Sequence, residues 1–368
     1  MVTPLIIINL KALTLFYYLT QRPQADPLPE LLTMFYRNRK IILEQYGKPS
    51  IAASLKSESI SPPTKGEILV KTSFAPINPA DINILEGRYG SLPGLPATIG
   101  TEGSGQVIAI GPGVAEIREG DQVLYLSRTD CWQDYVSCTA KQVIKIPRDL
   151  PGKFACMLKI NPATAWLLVH QGNNALPEGW IIQNAANSGV GHAVIAIARK
   201  LGVRTVNFVR RKELIKPLLE AGGNIVVMDN DEGKNAAIEQ IGDAPIELAL
   251  NAVGGESALR IMSMLSEGGT HITYGAMGKR PLKVPNSMLI FKDLKLKGMW
   301  LTKWLKSADQ METKEVYDIL SELLLSGGML QPIDSVYSPE NISSAIKRAT
   351  ENSRSGKVLL DFRANVSE

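Results

Sequence analysis

One stretch of this chain, from Trp180 to Lys212, limits what it can fold into more than any other. It begins with a short apolar run, Trp180 to Ile182, and continues through a turn of small residues. After the turn, apolar residues recur at helical spacing, at Val190, Ala193, Val194, Ile197, Ala198 and Leu201. This pattern predicts a strand, a tight turn and an amphipathic helix, in that order.

The turn itself reads Ala186-Asn187-Ser188-Gly189-Val190-Gly191. In folds that bind dinucleotides, the pyrophosphate lies on the free N–H groups at such a helix start, so the backbone must approach it closely. Against the pattern Gly-x-Gly-x-x-Gly, this turn has Ala186 and Ser188 at the first two glycine positions and keeps Gly191. The motif alone is therefore a weak indication of a cofactor site.

The next predicted strand, Arg204 to Val209, ends where such a fold meets the adenosine ribose. A site for NAD places an acidic residue there, whereas this chain has Arg210, Arg211 and Lys212. Guanidinium groups suit a 2′-phosphate, so the sequence predicts NADP(H) as cofactor. The alternative is a purely structural strand–helix unit with a solvated basic corner.

Length and composition indicate an ordinary α/β protein of two domains. The chain has 368 residues, 45% of them hydrophobic and 21% charged, with a net charge of +4 that is too diffuse to favour nucleic acid as a partner. Cys131, Cys138 and Cys156 are an odd, unpatterned set, which fits a reducing compartment. No Cys-x-x-Cys pair occurs, so a structural zinc lobe is not expected.

Residues 1–33 form an extension of uncertain status. The apolar segment Leu5 to Leu19 is interrupted by Asn9 and Lys11 and is shorter than the roughly 18 residues that cross a bilayer, so no membrane association is expected. A transit peptide, a non-native segment and a misassigned start remain open, because Met34 directly precedes the first predicted strand.

From Arg37 to Lys145, short apolar strands alternate with glycine and proline turns, which is typical of an irregular, partly closed β-barrel. The strands are predicted at Lys40–Leu43, Glu67–Phe74, Gly105–Ile110, Asp121–Leu126, Trp132–Cys138 and Gln142–Lys145. From Phe154 onward, strands and helices alternate for about 150 residues, as in a doubly wound sheet. Strands are predicted there at Trp180–Asn184, Arg204–Val209, Ile225–Met228, Leu248–Asn251, His271–Tyr274 and Leu294–Leu301.

The last segment has β character again. A helix over Lys314–Leu325, an extended segment at Gln331–Tyr337 and a helix over Pro339–Thr350 precede a final strand, Lys357–Asp361. We expect this strand to return to the first domain, so that the cofactor domain is inserted into the barrel domain.

The order of these parts resembles the medium-chain dehydrogenase/reductase superfamily from Met34 to the C-terminus. Three segments are similar to its zinc-free branch, namely Asn78 to Asn83, Gly87 to Tyr89 and Gly100 to Gly103. Zinc alcohol dehydrogenases carry a Cys in the first of these and Gly-His-Glu in the last, so no metal is expected here.

The resemblance implies an α/β fold with a GroES-like β-barrel catalytic domain and an inserted Rossmann domain, a doubly wound parallel sheet. The catalytic domain is expected at residues 34–157 and 307–368, and the NADPH-binding domain at 158–306.

Within the superfamily, four segments resemble the 2-enoyl thioester reductases of mitochondrial-type fatty acid synthesis more than the quinone reductases. They are Lys159–Ala165, Gln183–Gly191, Thr273–Met277 and Leu289–Leu301. The resemblance implies NADPH-dependent reduction of trans-2-enoyl thioesters, carried by CoA or acyl carrier protein, to saturated acyl thioesters. A quinone or enone oxidoreductase and a non-catalytic NADPH-binding protein remain alternatives.

The same resemblance carries over site residues by position. The implied NADPH contacts are Asn161, Asn187, Ser188, Gly189, Val190, Arg210, Arg211, Lys212, Tyr274, Gly275, Ala276, Met277, Met299, Trp300, Leu301 and Lys357. Two positions depart from the family: Arg211-Lys212 stands where an acidic residue and Arg are frequent, and Met299 where an aromatic residue is common.

Tyr89 falls where the family keeps its proton-donating tyrosine. Reduction of a conjugated thioester gathers negative charge on the carbonyl oxygen, and a neutral phenol can donate a hydrogen bond or a proton there. Glu102, which lies among glycines, is predicted to be structural.

The resemblance also implies a homodimer joined through cofactor-domain sheet edges, with acyl carrier protein as a candidate partner. It implies the cytoplasm for a bacterial source and the mitochondrial matrix for a eukaryotic one.

Overall fold

The computed structural model describes residues 36–127, 130–171, 179–329, 331–351 and 354–363. The predicted extension at 1–33 and its boundary at Met34 lie outside these ranges. The strands are β1 Tyr36–Leu43, β2 Ala53–Ile60, β3 Glu67–Pro76, β4 Ala97–Thr98, β5 Ser104–Ile110, β6 Gln122–Tyr125, β7 Tyr135–Thr139, β8 Val143–Lys145, β9 Trp180–Gln183, β10 Arg204–Val209, β11 Ile225–Met228, β12 Ile246–Asn251, β13 Thr270–Thr273, β14 Lys295–Gly298, β15 Ile333–Tyr337 and β16 Lys357–Asp361.

The helices are α1 Pro49–Ala52, α2 Pro79–Leu85, α3 Gly152–Ala155, α4 Asn161–His170, α5 Gly189–Lys200, α6 Ile215–Glu220, α7 Asp231–Ile241, α8 Gly255–Ser263, α9 Asn286–Ile290, α10 Leu301–Ser307, α11 Gln310–Leu325 and α12 Ile342–Thr350. Short 3₁₀ turns lie at Ala140–Gln142, Lys212–Leu214 and Pro339–Asn341.

Two sheets form the barrel part of the molecule. One has seven strands, six of them in the order β15-β16-β3-β5-β6-β8, with β7 pairing to β3, and the other has the order β2-β1-β4. The last strand, β16, pairs antiparallel with β3, with Leu359 opposite Pro76. The C-terminal segment therefore closes onto the barrel sheet rather than onto the cofactor sheet.

The third sheet is parallel, with the strand order β11-β10-β9-β12-β13-β14. Every residue of β9 is buried, as expected for a parallel strand covered on both faces. The chain moves outward from β9 in one direction and from β12 in the other, so a crevice opens at the carboxyl ends of these strands. The predicted α/β class with a doubly wound parallel sheet is confirmed.

Several predicted strand limits are wrong, and two of the differences have a clear physical reason. The strand predicted at Leu294–Leu301 is only Lys295–Gly298, because Trp300 caps helix α10, which begins at Leu301. The strand predicted from Trp132 begins at Tyr135, since the backbone of Trp132 is already bonded to Ile99 and Ile41.

Helix α11 connects the two parts. It packs with α4 and α5 in one apolar cluster, and the hydroxyl of Tyr317 donates to the carbonyl oxygen of Lys159 at 3.1 Å. The domain boundaries given above stay a prediction.

A buried ion pair joins β1 to the segment before β7. The guanidinium of Arg39 donates to both carboxylate oxygens of Asp134, at 2.9 and 2.8 Å, and each side chain is 9% exposed. Arg39 also donates to Glu340, at the start of the C-terminal helical segment. One cation therefore links three separate parts of the barrel.

Removing Asp134 takes away the two hydrogen bonds that its carboxylate accepts from this buried guanidinium. We expect Asp134→Ala to lower the free energy of unfolding by about 3 kcal/mol. As a control, Asp318→Ala removes an ion pair with Lys314 whose side chains are 51% and 62% exposed, and it should cost less than about 1 kcal/mol. Urea unfolding followed by circular dichroism measures both, and equal losses would contradict a special role for Asp134.

Candidate active site

The turn between β9 and α5 has the tight geometry that its small residues predict. Ser188 caps the helix, and its Oγ accepts from the N–H of Gly191 at 3.1 Å. A Cβ at position 191 would overlap the carbonyl group of Ala186, so only glycine fits there. The helix start thus presents backbone N–H groups in the form that binds phosphate.

This turn opens into one large cavity. The cavity has a volume of about 1460 Å³ and is lined both by the carboxyl ends of the parallel strands and by the barrel part. Pockets for a single small ligand usually measure about 300 to 1,000 Å³. The cavity is therefore large enough for a dinucleotide together with a substrate.

Most of the residues implied by the sequence resemblance line this cavity. They are Tyr89, Asn161, Asn187, Ser188, Gly189, Val190, Arg210, Tyr274, Gly275, Ala276, Met277, Met299, Trp300, Leu301 and Lys357. Arg211 and Lys212 are not among its lining residues. The chain turns away after Arg210, where Lys212 starts a 3₁₀ turn and Arg211 pairs with Glu213 at 3.3 Å.

Tyr89 and Trp300 meet in the cavity. Tyr89 follows α2 in a loop where Gly87 has a φ of +70°, and Trp300 precedes α10. The indole Nε1–H of Trp300 donates to the hydroxyl oxygen of Tyr89 at 3.2 Å, and the rings meet edge to face. Because an indole N–H can only donate, the phenolic proton of Tyr89 is left for another acceptor.

A buried polar network lies beneath the cavity. Lys357 donates to Oδ1 of Asn78 at 2.6 Å, and Nδ2 of Asn78 donates to Glu102 at 2.8 Å. The other carboxylate oxygen of Glu102 accepts from the backbone N–H of Ile160 at 2.6 Å. Glu102 is completely buried and does not line the cavity, which is consistent with the structural role predicted for it.

Burial changes the acidity of two groups in this network. It lowers the pKa of Lys357 to about 8 and raises the pKa of the Glu102 carboxyl, while the attraction between the two charges opposes both shifts. Lys357 is thus a cavity-lining cation whose charge depends on its buried carboxylate neighbour.

Two further observations test whether a dinucleotide fits the turn. The hydroxyl of Tyr274 is buried and has no hydrogen-bond partner among the described residues. Burial raises the pKa of Tyr274, so it stays a neutral donor. A Cβ at Gly189 would lie 2.6 Å from Nδ2 of Asn161, so only glycine lets the turn pack against this side chain of α4. An unused donor beside a turn that only small residues can form is what a phosphate-linked cofactor needs.

The carboxyl ends of β10 and β11, where such a fold meets the adenosine ribose, are called the ribose corner below. They contain a carboxylate that the sequence analysis missed. Asp229 lines the cavity immediately after β11. Its carboxylate accepts from Ser257 Oγ at 2.6 Å and pairs with Arg260. Its position directly after a parallel strand is the signal that could have found it.

Asn78 was also missed as a site residue, although its segment was recognised. It is the N-cap residue of α2, where its backbone N–H donates to the carboxylate of Asp81 at 2.7 Å, and its side-chain amide lies between Glu102 and Lys357. A local capping motif therefore places a polar group at the cavity wall.

Within the described ranges, no helix is long and apolar enough to cross a membrane. In the same part of the chain, no group of three or more His, Cys, Asp or Glu side chains is placed to hold a metal ion. The expectation that no metal takes part stays a prediction.

Family comparisons agree with the two parts of the structure. Residues 64–148 match the model of the alcohol dehydrogenase GroES-like domain, and residues 189–322 match the model named zinc-binding dehydrogenase. A GroES-like barrel joined to a parallel dinucleotide sheet around one cavity defines a medium-chain dehydrogenase/reductase, and this chain is one.

Comparison with related proteins identifies a narrower family within this superfamily. The mitochondrial enoyl-[acyl-carrier-protein] reductase of Xenopus tropicalis is 38% identical over 331 residues, which cover 88% of this chain and 95% of that protein. The chain belongs to this family of enoyl reductases.

Two solved structures are also similar. The mitochondrial 2-enoyl thioester reductase Etr1p/Etr2p heterodimer from Candida tropicalis and the Etr1p complex with NADP and crotonyl-CoA are each 26% identical to this chain, with TM-scores of 0.80. In both cases the match covers 89% of this chain and 100% of the other.

Proposed function

We propose that this protein reduces trans-2-enoyl thioesters to saturated acyl thioesters with NADPH, as a step of fatty acid synthesis. The observation that carries the proposal is the Tyr89–Trp300 pair, which lies in the same cavity as the phosphate-binding turn. The similarity to a reductase whose structure contains NADP and crotonyl-CoA supports the same cofactor and substrate class.

NADPH, when bound, supplies the hydride. We propose that the N–H groups of Asn187 to Val190 hold its pyrophosphate and that Arg210 binds the 2′-phosphate. Tyr274 offers its unused hydroxyl as a donor beside the turn. On the substrate side, Lys357 and Asn161 would orient the groups near the nicotinamide, because both line the cavity between the two parts.

Tyr89 is proposed to act on the substrate. Its proton is free to donate because Trp300 donates to its oxygen rather than accepting from it. A donor at the thioester carbonyl stabilises the negative charge that gathers there, and the same hydroxyl can deliver a proton to the α-carbon. Trp300 is then a positioning residue, since it fixes the direction of the phenol without touching the reacting atoms.

Substrate choice tests the activity. We expect purified protein to oxidise NADPH rapidly with crotonyl-CoA and at least tenfold more slowly with a small quinone, because the lysines that line the cavity can bind the phosphates of CoA, which a quinone lacks. Absorbance at the nicotinamide band follows both reactions. A clear quinone preference would replace the proposal with a quinone or enone reductase, and tight NADPH binding without turnover on either would indicate a non-catalytic protein.

Tyr89→Phe removes only the hydroxyl. We expect turnover of crotonyl-CoA to fall by about 10²- to 10⁴-fold, with unchanged NADPH affinity measured by fluorescence titration. Tyr135→Phe is the matched control, because Tyr135 is a half-buried tyrosine that packs on Tyr36 and does not line the cavity. If Tyr89→Phe keeps full turnover, Tyr89 does not take part in the reaction.

We also propose that the protein forms a homodimer through β14. Among the described strands, β14 pairs only with β13, and all four of its residues are exposed. Beside it, Ile290 and Phe291 are 68% and 79% exposed. An open strand edge next to exposed apolar side chains is a surface that pairing with a second copy would cover.

Ile290→Glu places a charge in that surface. We expect the wild-type protein to sediment as a dimer and the variant as a monomer, because a charge at the centre of an apolar interface must be desolvated. Ile51→Glu is the control, since Ile51 is equally apolar and 77% exposed but belongs to α1 in the barrel part. A wild-type monomer, or a variant that stays dimeric, would reject this interface.

Carrier and compartment complete the proposal. Lys279, Lys306 and Lys314 line the cavity, so an acidic acyl carrier protein as well as CoA would meet cationic groups there. The matched relative is named as a mitochondrial protein, and we propose the mitochondrial matrix as the compartment if the source is eukaryotic.

A further inference from the structure

The strand register places a carboxylate beside the arginine that faces the ribose corner. In the parallel pair β10 and β11, Val209 lies opposite Met228, so Arg210 and Asp229 are the next residues in register. The backbone N–H of Asp229 donates to the carbonyl oxygen of Val209 at 2.8 Å, and both Arg210 and Asp229 line the cavity. Unlike charges thus stand next to each other at the ends of neighbouring strands.

A free carboxylate at this position would favour the wrong cofactor. It would accept a hydrogen bond from a 2′-hydroxyl, as the acidic residue of an NAD site does, and it would repel a 2′-phosphate. It would also compete for Arg210, which has no ion-pair or hydrogen-bond partner in the part of the chain that the structure describes. The proposed preference for NADPH therefore requires that the carboxylate of Asp229 already be paired with other groups of the protein.

Arg260 and Ser257 are the partners of the Asp229 carboxylate. The Nη1 group of Arg260, in α8, pairs with Oδ1 of Asp229, and Ser257 donates to Oδ2 at 2.6 Å. The side chains of Asp229 and Arg260 are only 6% and 15% exposed, so solvent screens this pair little. The second contact of Arg260, to Asp231 at 3.3 Å, involves a carboxylate that is 85% exposed and contributes less.

We propose that Arg260 is a specificity-determining positioning residue for the phosphorylated dinucleotide. By neutralising Asp229 and holding it against α8, it leaves Arg210 available for the 2′-phosphate without touching that group itself. The inference rests on the proposed use of NADPH and extends it to a residue outside the cavity wall.

Arg260→Met tests the role, because it keeps the apolar length of the side chain and removes the charge. We expect the Kd for NADPH to rise about tenfold or more, while the Kd for NADH stays the same or falls. Binding is measured by nicotinamide fluorescence, and by competition with 2′,5′-ADP against 5′-AMP, so that no turnover is needed. Arg118→Met, at an exposed position outside the cavity lining, is the control and should change neither constant.

The double variant Arg260→Met/Asp229→Asn separates specificity from folding. Removing the carboxylate as well should restore most of the NADPH affinity that Arg260→Met loses. Equal weakening of both dinucleotides in the single variant, or no rescue in the double variant, would show a merely structural role and overturn the inference. A single variant that keeps its NADPH preference would overturn it as well.

The proposed function fails in a different way. If the wild-type protein binds NADH as tightly as NADPH, the proposed cofactor is wrong, and this inference falls with it. If the wild-type protein prefers NADPH but does not reduce crotonyl-CoA, the activity is wrong, while the result for Arg260 still stands or falls on the two dissociation constants.

Discussion

The cavity depends on the hydrogen bonds that the buried carboxylate of Glu102 accepts. It accepts from the side chain of Asn78 and from the backbone of Ile160, at 2.8 and 2.6 Å. Through Asn78 it also reaches Lys357 on the last strand. A buried carboxylate without such partners would be costly, so the segments that supply them are held together at this point. The barrel wall, the entry to α4 and the returning C-terminal strand therefore meet at fixed positions.

The two sides of the cavity use different kinds of chemical group. The cofactor side uses backbone groups, since small residues at the turn before α5 expose N–H groups and let the turn pack directly against Asn161. The substrate side uses side chains, with Tyr89 on a barrel loop and Trp300 at the start of α10. Because Tyr89 belongs to the barrel part and Trp300 follows the last strand of the parallel sheet, their hydrogen bond exists only when the cavity has its described shape. The geometry needed for proton donation is thus a consequence of how the two parts pack.

Sequence reasoning found the elements that carry their own signal. β10, β11 and β16 match the predicted Arg204–Val209, Ile225–Met228 and Lys357–Asp361 from end to end, because each is an apolar run bounded by turn residues or charge. β2 was missed, since Ala53–Ile60 is a largely exposed edge strand with polar residues and is fixed by pairing with β1 along its whole length. A strand that depends on its partner leaves little periodic pattern in its own sequence.

The ribose corner shows why a site is harder to predict than a strand. The sequence shows three consecutive basic residues after β10, but only the first lines the cavity, because the backbone turns between Arg210 and Arg211. The sequence gives no direct sign that Asp229 lies beside Arg210, because strand register brings the two residues together. It also gives no sign that Asp229 is neutralised by Arg260, in α8, about 30 residues further along the chain. Local composition therefore predicts the sign of the potential at this corner. The preference between two cofactors depends instead on which of the opposite charges is already paired, and that is set by tertiary packing.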